Sequence, residues 1–144
     1  MAPLLLALTA ATAAATATPT LTSSTIFDIG EGDWASYPAL RTKAEDLPIG
    51  AMMARMETII SERQCAFRGQ RADAFDVTVP WAMEIGPNGR VSRVIIADMG
   101  CRPLEEYVAT LIQRMTNAGG VRIRGESRPG RYGSDFNFTL ANSR

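Results

Sequence analysis

The chain has 144 residues, 15 basic against 15 acidic, and no His. That length is the size of one domain, and balanced charge gives no bulk attraction to nucleic acid or to an anionic membrane. Without His the chain lacks the commonest general base and the commonest transition-metal ligand, so Ser–His and Cys–His nucleophiles are excluded.

Residues 1–17 carry no charged side chain. Leu4-Leu5-Leu6-Ala7-Leu8 is a short apolar run, and Ala15-Thr16-Ala17 fits the small-x-small pattern before a cleavage site. The stretch reads as a signal peptide, with an Ala/Thr-rich tail as the alternative. The expected location is therefore periplasmic or secreted. Cleavage would leave roughly 125 residues, enough to bury a core.

Residues 18–36 are expected as a linker and N-terminal extension, rich in Thr and Ser from Thr18 to Thr25. Within it Ile26, Phe27, Ile29 and Trp34 have the character to form a short strand or to pack on the main body. Gly30-Glu31-Gly32-Asp33 lacks the glycine spacing and the Lys of a phosphate loop. Tyr37-Pro38 marks extended chain, because a residue before Pro avoids the helical region. The main domain is expected over residues 37–144.

The first predicted helix covers residues 48–63. Pro48 suits a first turn, and Ile49, Met52, Met53, Met56, Ile59 and Ile60 repeat at helical spacing. A stripe with three Met is either a core face or an adaptable binding surface. Residues 75–85 then place apolar side chains at every odd position, the pattern of a half-buried strand. Pro80 predicts a bulge or a break in its pairing. Gly86-Pro87-Asn88-Gly89 supplies a turn, and residues 90–97 run back as a Val/Ile-rich strand.

Residues 103–116 predict a second helix with Leu104, Tyr107, Val108, Leu111, Ile112 and Met115 on one face, ended by Gly119-Gly120. Glu105 and Glu106 near its start and Arg114 near its end suit the helix dipole. Residues 121–133 hold Arg122, Arg124, Arg128 and Arg131, and read as a short strand and a basic loop, either a solvated surface or a grip on an acidic partner. Phe136, Phe138 and Leu140 alternate with Asn137 and Thr139 in a last strand. The expected fold is α+β: a small antiparallel sheet of hairpin and final strand, packed against two helices.

Two cysteines in an exported chain predict a disulfide, Cys65–Cys101. It would contribute roughly 4 kcal/mol in the chain-entropy model. Two separately buried thiols are the alternative. The cysteines match no zinc spacing. The acids Glu57, Glu62, Asp98, Glu105 and Glu106 show no spacing that demands a pair. The sequence points to no catalytic residue, cofactor or metal, and a non-enzymatic role is expected.

Residues 75–140 resemble the C-terminal domain family of TonB energy transducers. The likeness is carried by FDVTVPWAMEIGPNGRVSRVIIADMGC as strand, turn and strand, by PLEEYVATLIQRM as helix and by FNFTL as final strand, with Tyr37-Pro38 matching the Tyr-Pro that often begins that domain. Transducers of the family carry a membrane anchor and a long Pro-rich spacer. The expectation here is a free exported domain with the same fold. In the family the final strand receives a short peptide from outer-membrane receptors. The resemblance therefore implies a protein or extended-peptide partner for Ser134, Asp135, Phe136, Asn137, Phe138, Thr139 and Leu140, with Asn137 and Thr139 on the open side. Physically, an edge strand leaves backbone groups free, and an extended peptide can add to them. Two rival expectations stand beside this one. The edge is covered by residues 26–34 or by a second copy, or the chain is a disulfide-stabilised structural domain that self-associates through its Met-rich helix as a homodimer.

Overall fold

A hairpin organises the chain. Its turn at residues 86–89 closes with the Gly89 N–H donating to the Gly86 carbonyl at 3.1 Å and the Gly86 N–H to the Arg90 carbonyl at 2.9 Å. Gly89 takes φ +73°, a conformation that glycine adopts without steric cost. The computed structural model describes residues 18–43, 47–63, 74–125 and 128–141. The expected leader at residues 1–17 and Cys65 lie outside the described residues.

Among these residues the elements run β1 (Thr20–Gly30), a short 3-10 turn (Trp34–Ser36), β2 (Leu40–Thr42), α1 (Ile49–Arg63), β3 (Ala74–Ile85), β4 (Arg90–Ala97), α2 (Arg102–Asn117), β5 (Val121–Ile123) and β6 (Gly130–Ala141). A four-stranded sheet has the order β1-β4-β3-β6, and β2 pairs with β5 in a second, two-stranded sheet. The architecture is α+β, as expected. The main sheet is mixed, because β1 lies parallel to β4 while β3 is antiparallel to both β4 and β6.

The odd residues of β3 bury one face. Val77, Val79, Trp81, Met83 and Ile85 join Val94 and Ile96 in the core. α2 packs this side against β1 and β4, while α1 packs against α2 and β6. The Met stripe belongs to this core: Met52 and Met56 are buried and Met53 packs against the cluster. The amphipathic face is thus spent inside, and it offers no Met-rich docking surface.

Three expectations are corrected. Residues 20–25, expected as linker, belong to β1, which continues through Ile26, Phe27 and Ile29, where a short strand or packing on the main body is expected, and Phe27 packs on the core opposite Val94. The last strand is much longer than residues 136–140, because Gly130–Asp135 also pair with β3, although Tyr132 is their only core residue and the stretch shows no apolar alternation. Pro80 causes no break. It pairs in register with Asp135, and the ladder to β4 begins only at Trp81, one residue beyond it. The proline therefore sits where its missing N–H has no ladder partner to lose. The irregularity falls instead at Glu84/Ile85. Glu105 lies in the first turn of α2, as expected. It is 2% exposed and accepts the Met99 N–H at 2.7 Å.

A small-residue approach locks the second sheet to the helix end. A Cβ on Gly120 would stand 2.6 Å from the Lys43 carbonyl oxygen, and the Lys43 N–H donates to the Gly120 carbonyl at 2.7 Å. No described helix is long and apolar enough to cross a membrane.

Candidate functional site: the free edge of the last strand

β6 pairs with β3 residue for residue, from Gly130 opposite Ile85 to Ala141 opposite Ala74. In an antiparallel pair, successive residues alternately face the partner and face away. The Gly133 N–H fixes the phase, because it donates outward to the Pro38 carbonyl at 2.9 Å. Counting in twos, the backbone groups of Asp135, Asn137 and Thr139 also face outward. Those of Ser134, Phe136, Phe138 and Leu140 face β3. Among the described residues nothing pairs with the outer side of β6 beyond Gly133.

The side chains follow the same alternation. Phe138 is buried and Phe136 half-buried on the core face. Phe136 stacks on Trp81 at 6.0 Å and on Phe138 at 5.8 Å between ring centroids. Asp135, Asn137 and Thr139 are exposed on the opposite face. There the Thr78 hydroxyl donates to Asn137 Oδ1 at 2.7 Å, Thr139 Oγ1 donates to Asp76 Oδ1 at 2.7 Å, and Asn137 Nδ2 donates to Asp135 Oδ1 at 3.3 Å. The first two bonds cross to β3 and support the register of the pair, and the third lies within β6.

The first part of the same edge is closed by the chain itself. Ala39 makes a parallel bridge to Gly133. A Cβ on Gly133 would meet Tyr37 Cβ at 3.3 Å, so any larger residue would push Tyr37 back by a few tenths of an ångström. Arg131 ties the closure down through Tyr37 Oη at 3.3 Å and Glu84 Oε1 at 2.6 Å. The Tyr37 hydroxyl and then the Glu84 carboxylate hold the Arg131 guanidinium above its ordinary pKa. Tyr37-Pro38 thus plugs the strand up to Gly133, and no other described residue pairs with the outer side of residues 134–140. Sequence reading missed this role, and the lone glycine beside an aromatic-rich loop was its only signal. Of residues 26–34, the expected cover, residues 26–30 belong to β1 on the far side of the sheet, whereas Trp34 packs edge-on against Tyr37 at 6.0 Å, beside the plug.

That other edge is blunted. Between Leu21 and Ile26 the register of β1 slips against β4. Thr25 Oγ1 donates to the Val91 carbonyl at 2.6 Å and accepts the Thr22 N–H at 2.9 Å, which pins the excursion. Irregular edges resist pairing with further strands. Of the two outer strands, β6 presents the regular, unobstructed one.

Elsewhere the chemistry is sparse. A cavity of about 330 Å³ between β1 and α2 is lined by Phe27, Asp28, Arg102, Glu105 and Glu106 among others. Two of its three acids are engaged: Glu105 holds the Met99 N–H, and Asp28 pairs with Arg93 at 3.3 Å. No described group of three or more His, Cys, Asp and Glu is placed to hold a metal ion. Cys101 is buried at the entrance to α2. Arg122, Arg124 and Arg128 are exposed, whereas Arg131 is built into β6. Comparison with family models, with curated proteins and with solved structures gave no match.

Proposed function

We propose that this chain is an exported, non-enzymatic binding module that takes an extended partner segment by strand addition along residues 134–140, in the manner of a TonB-like domain. The observation that carries the reading is the open run of outward backbone groups at Asp135, Asn137 and Thr139, next to a strand paired without interruption on its other side. Such an edge supplies affinity through backbone hydrogen bonds, and its alternating side chains supply choice. The plug at Gly133 would set where the partner segment begins. A Cys65–Cys101 bridge is part of the proposal. It is supported by the burial of Cys101 and by the lack of a free cysteine among the described residues.

A photo-crosslinking residue in place of Asn137, introduced in cells, tests the reading. Capture of the extended plug segment of an outer-membrane receptor is the expected result. Capture of the same chain would replace it with self-association at the edge, and the absence of any crosslink would overturn strand addition. Intact mass after alkylation, with and without reduction, tests the bridge, and full alkylation without reductant would refute it.

A further inference from the structure

Resting on strand addition at β6, we infer that the partner segment alternates cationic with apolar residues, the cations lying over the Asp135 face and the apolar residues beside Phe136. The polar face at this edge carries two exposed carboxylates, Asp135 and Asp76. The contacts of Asp76 and Asp135 run to Thr139 Oγ1 and Asn137 Nδ2 respectively. The ion pairs among the described residues are Arg93 with Asp28 and Arg131 with Glu84. Among the described residues neither Asp76 nor Asp135 therefore meets a cation.

An added strand continues the pleat, so its side chains fall alternately on the two faces of the sheet. On the polar face each lies about 5 Å from the β6 residue opposite, close enough for a cross-strand charge pair with Asp135. A long Lys or Arg side chain also reaches over Thr139 toward Asp76, one strand further in. On the other face an incoming side chain continues the row formed by Phe138, Phe136 and Trp81, where Phe136 is half-buried and still offers surface. A second copy of this chain is a poor occupant. Pairing β6 with itself would set the carboxylates of both copies on one face, and like charges across a strand pair are destabilising.

Two acetylated seven-residue peptides, one alternating Lys with Val and one alternating Glu with Val, are titrated into the full chain, with amide exchange read at Asp135, Asn137 and Thr139. The Lys peptide is expected to slow exchange at these amides and to bind about tenfold more tightly at low salt, the preference shrinking as salt rises. The double variant D76K/D135K is expected to reverse the preference. Equal affinities with the same protected amides would overturn the charge inference while leaving strand addition standing. So would a double variant that keeps the original preference. Protection of none of the three amides by either peptide would refute both.

Discussion

Replacing Asn137 by Pro separates an open edge from a closed one. The Asn137 N–H faces away from β3, so the substitution Asn137→Pro removes no ladder bond. It loses the exposed bond from Thr78 to Asn137 Oδ1, worth about 0.5–1 kcal/mol. It also strains φ modestly, an effect partly offset by about 0.4–1 kcal/mol from a stiffer unfolded chain. The net cost is about 1 kcal/mol. Ser134→Pro is the control. Ser134 pairs with Trp81, its N–H faces β3, and losing that bond strands the buried carbonyl of Trp81, which with ring strain costs about 3 kcal/mol. Urea unfolding of both variants should show this difference of about 2 kcal/mol, or about 8 °C in Tm. Equal destabilisation would mean that the Asn137 N–H already has a partner, and the argument for a free edge would fail.

Trp81 is 0% exposed, and among the described residues its indole N–H finds no acceptor. Trp81→Ala should cost about 3–5 kcal/mol in chemical denaturation. Trp81→Phe should cost about 1–2 kcal/mol, because it removes an unpaired buried donor along with the lost volume. Gly120→Ala should cost about 1–3 kcal/mol and increase amide exchange at Lys43, since the added Cβ meets backbone that has little room to yield. Glu105→Ala should cost about 1.5–3 kcal/mol through the orphaned Met99 N–H, while Glu105→Gln, which keeps an acceptor oxygen, should cost less; equal losses in thermal melts would refute the role given to that bond.

What the sequence determined is local or strictly periodic. The hairpin from β3 to β4 is legible because an alternating run, a turn rich in Gly, Pro and Asn, and a second β-rich run follow one another directly. The two helices are legible from their apolar stripes, with α2 ending where Gly119 takes φ +77°. Burial of Trp81 follows from its place on the apolar phase. The tertiary structure alone decided the partners that lie far off along the chain. The first half of β1 reads as a Thr- and Ser-rich linker because only parallel contact with β4 makes it a strand, and that contact has no local signature, whereas Ile26, Phe27 and Ile29 carry apolar character that allows a strand. The first half of β6 shows no apolar alternation because its outer face meets Tyr37 and its pairing is set by β3. Which stretch of the edge stays open is likewise a tertiary fact. It depends on Pro38 reaching Gly133, a contact between residues with no shared periodicity that sequence pattern cannot bring together.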